Sequence, residues 1–191
     1  FMKELKPQNL EDIIAGISLY RPGPMDFIPQ YIKGKNHPEE VVYDCPQLKP
    51  ILESTYGCIV YQEQVMQIVR ELGGYTLGRS DLVRRAMSKK KAAVMEKERR
   101  NFVYGNPEEG VPGCIANGID EKVANKIYDE MIDFAKYAFN KSHAAAYAVV
   151  SYQTAYLKCY YPVEFMAALM TSCIENPGKV SEYIMNCRQM G

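Results

Sequence analysis

The sequence predicts a mainly α fold, arranged as a single compact helical domain with at most a few short strands. Three observations support this prediction. Apolar residues recur at spacings of three and four over most of the chain, as in the segment with Val123, Ile127, Met131 and Phe134. Residues that favour helix starts precede such segments, and glycine or proline follows them. The 191 residues, 47% hydrophobic and 24% charged, can bury a core without a metal or a disulfide.

Each predicted helix has a start or stop signal. Asn9 can cap the first helix, which ends before Pro22. Gly73 ends a helix that starts at Gln62, and Asp120 can cap a later one. The other predicted elements, in chain order, are a short element at 25–32, a brief strand at 41–43, a helical turn at 50–54, a basic helix from 81 to about 103, a loop at 105–118, and helices at 142–159, from 162 and at 180–189.

Composition excludes several classes of protein. No apolar run approaches the roughly 18–20 residues of a membrane span, and no signal peptide precedes the first element. The six cysteines include no C-x-x-C pair, and with only two histidines, His37 and His143, a zinc site has no plausible spacing. We therefore expect a cytoplasmic protein without a membrane partner, whose reduced cysteines act as small apolar side chains. A start at Phe1 is expected of a piece of a longer polypeptide.

Positive charge is concentrated in one stretch of the chain. From Arg79 to Arg100, nine basic residues stand against three acidic ones, a local charge of +6, whereas the whole chain has 23 of each. Such asymmetry indicates an anionic partner. The plainer interpretation is a solvated charged helix, but three consecutive lysines that follow an Arg84-Arg85 pair favour phosphate binding.

The basic helix has a predicted start and a predicted apolar side. Ser80 can cap it at Asp81. Asp81 and Arg85 are four residues apart and can form a surface ion pair. The apolar side is expected to carry Leu82, Val83, Ala86 and Met87.

A second polar segment lies at the start of the predicted helix 142–159. His143 and Tyr147 are four residues apart and share one helical face, with Lys141 and Ser142 at its start. The three intervening alanines leave that face open to a bulky planar ligand. From this segment alone, a surface-packed, alanine-rich helix with a capping serine is an equally good interpretation.

Tyrosine is frequent in this protein, at 15 residues, and tryptophan is absent. Tyr152, Tyr156 and Tyr160 form a stripe at helical spacing. A nucleic-acid base could stack on such rings. We favour a half-buried packing face for these three, whereas for Tyr147 the two interpretations are close.

Four motifs follow one another along nearly the whole chain. They are Ser18-Leu-Tyr-Arg-Pro-Gly-Pro24, Tyr56-Gly-Cys-Ile-Val-Tyr-Gln-Glu-Gln-Val-Met66, Asp81-Leu-Val-Arg-Arg-Ala-Met-Ser-Lys-Lys-Lys91 and Phe139-Asn-Lys-Ser-His-Ala-Ala-Ala-Tyr147, and Tyr160-Tyr-Pro-Val-Glu-Phe-Met166 continues the series. With these motifs, the chain resembles the fingers domain of C-family replicative polymerases, the α subunits of bacterial DNA polymerase III. The resemblance implies that residues 1–191 are a fingers domain cut from a longer chain.

The resemblance implies that this domain positions the incoming deoxynucleoside triphosphate and contacts primer-template DNA. The implied nucleotide-binding residues are Arg84, Arg85, Lys141, His143 and Tyr147, and His143 would check the nucleotide's sugar. The implied DNA-binding residues are Arg79, Lys89, Lys90 and Lys91. The implied protein partners are the remaining polymerase domains and replisome subunits. Arg21 and Gln62-Glu63-Gln64 also lie in matched motifs, but the sequence predicts no chemical role for them.

The full enzyme is expected to be a DNA-directed DNA polymerase, a nucleotidyltransferase that uses Mg²⁺. Phosphoryl transfer with two metal ions needs carboxylates held together, and the chain has no Asp-x-Asp pattern. The resemblance places the metal-binding aspartates in the palm domain, outside this segment. We therefore expect no catalytic or metal-binding residue here, and no activity from the segment alone.

Two other functions remain open from the sequence. One is a non-catalytic helical DNA-binding module that uses the basic helix 80–103 for phosphate contacts. The other is an interaction domain in which that helix pairs with an acidic partner. Ligand preference separates the three: fingers prefer a triphosphate, a DNA-backbone binder prefers duplex with a steep salt dependence, and an interaction domain binds neither.

Overall fold

The computed structural model describes residues 1–89, 92–135 and 137–190. The helices are α1 (Met2–Leu5), α2 (Leu10–Leu19), α3 (Ile28–Asn36), α4 (Lys49–Leu52), α5 (Gln62–Gly73), α6 (Leu77–Ser88), α7 (Ala92–Tyr104), α8 (Glu121–Ala135), α9 (Lys141–Tyr160), α10 (Pro162–Ser172) and α11 (Pro177–Met190). In these ranges, β pairing is limited to two single bridges. The predicted mainly α fold is confirmed. No described helix is long and apolar enough to cross a membrane.

The chain divides into two compact units, Phe1–Ala145 and a second that begins at Ala146. In the first unit, α5 packs against α4, α6, α7 and α8, and its apolar face is buried in their centre. The members of that face are Val65, Ile68, Val69 and Leu72. The second unit contains the rest of α9 with α10 and α11, and the last two pack on each other. A single domain over 1–191 stays a prediction.

Capping groups explain several helix boundaries. The Asn9 side chain accepts a hydrogen bond from the backbone N–H of Asp12 at 2.9 Å, as predicted for the start of α2. The Asp120 carboxylate accepts one from the N–H of Lys122 at 2.9 Å before α8. Gly74 follows α5 in the left-handed conformation, with a φ of 75°, which glycine adopts without steric cost.

The basic helix differs from its prediction. It is divided between α6 and α7, and α6 begins at Leu77 rather than Asp81 because Thr76 caps it. Ser80 lies inside α6 and donates to the carbonyl of Leu77 at 2.7 Å. Leu82, predicted on the apolar side, is 65% exposed, whereas the other three members of that side are buried. The predicted strand at 41–43 is also wrong, since these residues form an irregular connection.

A buried ion pair joins the first three helices. Nζ of Lys35 donates to Oδ2 of Asp12 at 2.8 Å, and to the carbonyls of Leu5 and Lys6 at 2.9 Å each. The two charged side chains are only 8% and 2% exposed. All three protons of the ammonium group therefore have acceptors, which compensates the loss of hydration.

The loop predicted at 105–118 is attached to the core by its backbone. Gly113 donates to the carbonyl of Gly73 at 3.0 Å, and Cys114 donates to that of Phe102 at 2.7 Å. Gly105 and Gly113 have φ values of 84° and 86°, and a Cβ on Gly113 would lie 2.3 Å from the nitrogen of Gly105. Two close backbone segments thus require glycine here.

The cysteines are free and differ in exposure, which gives a test of the fold. Burial raises the pKa of Cys58 and of Cys114 to about 12, whereas Cys159 is exposed. Since the thiolate is the reactive form, we expect iodoacetamide at about pH 8 to modify Cys159 at least roughly ten-fold faster than the two buried thiols. Peptide mass spectrometry measures the rates, and labelling in denaturant is the control. Equal rates in the folded chain would contradict this packing.

Candidate functional site

The two predicted phosphate-binding arginines lie on α6 and share one carboxylate. Oδ1 of Asp81 accepts hydrogen bonds from Nη2 and Nε of Arg84 at 2.7 and 3.0 Å, and Oδ2 lies 2.7 Å from Nε of Arg85. The hydrogen bonds from Arg84, together with the positive charge of both arginines, lower the pKa of Asp81. The Arg84 side chain is 17% exposed and that of Arg85 is 62% exposed. Arg84 is therefore the fixed member of the pair, and Arg85 reaches into solvent.

Gln62, the first residue of α5, connects Arg84 to the segment that precedes α9. Its Oε1 accepts from Nη1 of Arg84 at 3.1 Å, and its Nε2 donates to the carbonyl of Ala138 at 3.0 Å. The backbone N–H of Gln62 donates to the carbonyl of Phe139 at 2.9 Å, and the backbone N–H of Phe139 donates to the carbonyl of Val60 at 3.1 Å. These bonds hold the start of α5 beside residues 138–139.

Glu63 connects α5 with the first turn of α9. Its carboxylate accepts from Nδ2 of Asn140 at 2.9 Å and from the backbone N–H of Lys141 at 3.1 Å. A carboxylate is favourable at this end of a helix because the N–H groups there lack partners within the helix. Oδ1 of Asn140 accepts from the N–H of His143 at 2.8 Å, so Asn140 rather than Ser142 caps α9.

Gln64 has a structural role in the core and is 3% exposed. Its Oε1 accepts from the N–H groups of Val60 and Tyr61 at 2.9 and 3.0 Å. Its Nε2 donates to Oγ1 of Thr55 at 2.8 Å and to the carbonyl of Ile51 at 3.2 Å. Both ends of the buried amide are therefore satisfied.

Lys141 and His143 occupy the first turn of α9 but make different contacts. Nζ of Lys141 lies 3.0 Å from a carboxylate oxygen of Glu11 and 5.2 Å from the ring centroid of Tyr61. The exposed imidazole of His143 has its centroid 5.5 Å from that of the Phe139 ring. His143 thus lies near the segment that Gln62 holds, whereas the ammonium group of Lys141 is turned towards α2.

Arg21 also contacts the segment before α9. Its Nη2 donates to the carbonyl of Tyr137 at 2.6 Å, and its guanidinium carbon lies 4.7 Å from the ring centroid of Phe139. A cation over an aromatic ring and a hydrogen bond together stabilise this connection. Arg21, Gln62 and Glu63, to which sequence reasoning gave no role, all hold the same segment.

Tyr147 and the tyrosine stripe belong to the second unit. Tyr147 is 55% exposed. The rings of Tyr152, Tyr156 and Tyr160 are between 43% and 67% exposed. The centroid of Tyr156 is 6.3 Å from that of Tyr152 and 4.6 Å from that of Tyr160, so the rings pack on one another along the helix.

Of the predicted DNA-binding residues, Arg79 lies near the start of α6 and Lys89 directly follows its end. Nη2 of Arg79 bonds to Glu98 at 2.9 Å and also to Glu109. Lys89 is exposed at the end of α6. Lys90 and Lys91 lie outside the described residues.

Acidic residues from beyond the basic stretch neutralise part of its charge. Glu109 contacts both Arg79 and Lys97, and hydrogen bonds from these two cations lower the pKa of Glu109. Asp129 of α8 pairs with Arg99. The local charge of the sequence window therefore overstates the positive charge of this surface.

Potential metal ligands lie elsewhere. In the described ranges, His37, Glu39 and Glu40 bring three ligand atoms within 4.8 Å of one another on an exposed turn, and Nδ1 of His37 lies 3.4 Å from Glu39. Around Arg84 and Gln62, the carboxylate of Asp81 is already bound by two guanidinium groups, and that of Glu63 accepts from Asn140 and Lys141. This set of groups does not fit a divalent cation, which requires several free oxygen ligands.

Comparison with known proteins agrees with the motifs. A family model for the bacterial DNA polymerase III alpha subunit finger domain matches residues 1–110. The DNA polymerase III subunit alpha of Thermus aquaticus is 52% identical over all of this chain and 15% of its own length. The DNA polymerase III subunit alpha of Halalkalibacterium halodurans is 46% identical over 100% of this chain and 16% of its own length. The DNA polymerase III subunit alpha of Deinococcus radiodurans is 50% identical over 98% of this chain and 14% of its own length. The chain thus spans about 15% of the length of these relatives.

Proposed function

Because this chain belongs to the finger domain family of bacterial DNA polymerase III alpha subunits, we propose that it positions the incoming deoxynucleoside triphosphate for template-directed DNA synthesis. The proposed domain covers 1–191 and works within a larger, cytoplasmic DNA polymerase. The remaining polymerase domains and replisome subunits are its proposed protein partners, and primer-template DNA is its second ligand.

The observation that carries this proposal is the connection between Arg84 and the first turn of α9. Gln62 and Glu63, which are adjacent, hold these two elements with side-chain hydrogen bonds of 2.9 to 3.1 Å. Guanidinium groups bind phosphate oxygens with paired, charge-assisted hydrogen bonds. A triphosphate bound to Arg84 and Arg85 would then have its sugar on the side of His143.

Two further nucleotide contacts follow from the motif. Lys141 would supply a third cation if its ammonium group left Glu11 for a phosphate. Tyr147 would form part of the wall around the nucleotide. Both roles rest on the family resemblance.

The proposed DNA contacts differ in how readily they can form. Lys89 is exposed, and with Lys90 and Lys91 it would bind phosphates of the primer-template. Arg79 is proposed for the same role, but its side chain is 21% exposed and contacts two carboxylates. A DNA phosphate would therefore have to displace Glu98 or Glu109 from Arg79.

We assign catalysis to another part of the polymerase. Two Mg²⁺ ions would stabilise the attacking and leaving oxygens of phosphoryl transfer, and the carboxylates that bind them belong to the proposed palm domain. This segment would contribute binding and orientation, which supply much of the rate enhancement in phosphoryl transfer. Alone, the segment would be inactive.

The alternative is a DNA-binding module that uses the basic stretch 80–103 for backbone contacts. Its cations would have to be available to a row of phosphates. Lys97 and Arg99 instead lie against Glu109 and Asp129, which favours the nucleotide-binding function.

Replacement of His143 by alanine tests the proposed function. If the imidazole limits the space near the ribose 2′ position, the preference for deoxy- over ribonucleotide should fall by roughly ten- to a hundred-fold, because discrimination by shape is usually worth about 1–3 kcal/mol. Single-nucleotide extension by a full-length alpha subunit that carries this sequence measures both rates.

Ser142→Ala is the matched control, since Ser142 is exposed in the same turn of α9. It should leave the ratio unchanged. An unchanged ratio in His143→Ala, with a uniformly lower rate, would make His143 a structural residue and remove the sugar check from the proposal.

A further inference from the structure

One amide group joins the two ends of the proposed nucleotide site. Gln62 contacts the phosphate-binding side through Arg84 and the sugar side through the carbonyl of Ala138. We propose that Gln62 is a positioning residue that keeps Arg84 in a fixed relation to the segment leading into His143. This inference rests on the function proposed above.

The chemistry of the two contacts requires an amide. Nη1 of Arg84 is a donor and the carbonyl of Ala138 is an acceptor, so the residue between them must accept at one end and donate at the other. Glutamate could accept from Arg84 but, when ionised, could not donate to the carbonyl, and methionine cannot donate and accepts only weakly through its sulfur. Both contacts are partly buried, and hydrogen bonds that are shielded from water are stronger.

The backbone makes the connection stiff. The N–H of Gln62 donates to the carbonyl of Phe139, and the N–H of Phe139 donates to the carbonyl of Val60. These two bonds form a single parallel bridge between Tyr61 and Phe139. The ring of Phe139 lies 5.5 Å from that of His143, centroid to centroid. A change in the position of Arg84 therefore reaches the residues beside His143 through the two side-chain hydrogen bonds of Gln62, the two backbone bonds of the bridge and one ring contact.

Other glutamines of α5 do not share this arrangement. The amide of Gln64 bonds to the core, and Gln67 is exposed. Gln67→Met is therefore a control that makes the same chemical change on the same helix. Gln62→Met preserves length and approximate volume while it removes the amide donor and replaces the acceptor oxygen with a weakly accepting sulfur.

The experiment uses a full-length alpha subunit that carries this sequence. Gln62→Met should raise the apparent Kd for the deoxynucleoside triphosphate roughly ten-fold, as expected when a charged group loses a hydrogen-bond partner. Affinity for primer-template should not change. The deoxy- to ribonucleotide ratio should fall several-fold, and Gln67→Met should leave all three quantities unchanged.

Gln62→Asn, whose amide is one methylene too short to reach both partners, should behave like Gln62→Met, and full activity of Gln62→Asn would contradict the proposal.

Double-mutant cycles separate positioning from a general structural effect. If Gln62 acts through Arg84, then Gln62→Met should add little to the loss of nucleotide affinity in Arg84→Ala. It should likewise add little to the loss of sugar discrimination in His143→Ala. Simple additivity in either cycle would overturn the proposal.

The same data separate this inference from the function on which it rests. If Arg84→Ala leaves nucleotide affinity unchanged, the proposed function fails. If Arg84→Ala weakens nucleotide binding and Gln62→Met does not, only the positioning role of Gln62 fails.

Discussion

Replacement of Lys35 by methionine is expected to lower the free energy of unfolding of this chain by about 3–5 kcal/mol, the usual loss when one partner of a buried ion pair is removed. The change leaves the carboxylate of Asp12 in a position where its side chain is only 2% exposed. It also removes the donor that satisfies the carbonyls of Leu5 and Lys6. Native proteins have only about 5–15 kcal/mol of stability in total, so this single change should bring the chain close to unfolding.

Urea denaturation of the wild-type and variant chains measures the effect. Lys33→Met is the matched control because the Lys33 side chain is 70% exposed and pairs with Glu40 at the surface. Its effect should stay within about 0.5 kcal/mol. Asp12→Leu combined with Lys35→Met should recover part of the loss, since no unpaired charge remains. A loss below about 1 kcal/mol in Lys35→Met would contradict the buried pair.

Arg84→Ala in a full-length alpha subunit should weaken the use of deoxynucleoside triphosphate by roughly ten-fold to over a hundred-fold. Charge-assisted hydrogen bonds to phosphate are typically worth about 1.5–3 kcal/mol, which corresponds to that range. Binding of primer-template should change much less. Arg84→Lys should restore little, because an ammonium group lacks the two parallel donors of guanidinium.

Single-nucleotide extension at several nucleotide concentrations, with a separate primer-template binding assay, provides the measurement. Arg100→Ala is the control: its side chain is 77% exposed on α7 and lies 3.9 Å from Glu96. If Arg84→Ala reduced DNA affinity and left the nucleotide dependence unchanged, the DNA-binding alternative would be favoured over the proposed function.

The fold could be predicted where the signal is local. The helix that starts at Gln62 and the one after Asp120 were predicted closely, because helical spacing and capping residues lie within a few positions of each other. The start of α6 was not, since Thr76 and Ser80 are both good N-cap residues, and in the structure Thr76 caps α6 while Ser80 lies inside it. Local sequence does not contain that choice.

The candidate site was predictable in part for the same reason. Arg84, Arg85 and His143 stand in recognisable motifs. Gln62 contacts residues 22 and 76 positions away in sequence, and no local pattern indicates such contacts. The acidic partners of the basic stretch were missed for a related reason, because a sequence window counts charges without showing that Glu109 and Asp129 lie against them.

The carboxylate of Asp81, which Arg84 and Arg85 share, affects how an anion would reach the two arginines. Two guanidinium groups with one carboxylate carry a single net positive charge, and at physiological ionic strength its field is screened within about 8 Å. Electrostatic steering of distant anions towards the two arginines is therefore weak. In the proposed function, selection would occur on contact, because an incoming anion would have to compete with Asp81 for the hydrogen bonds of the arginines. A triphosphate, with many oxygens and several charges, would compete better than chloride or inorganic phosphate, so small anions would leave the arginines available to the proposed ligand.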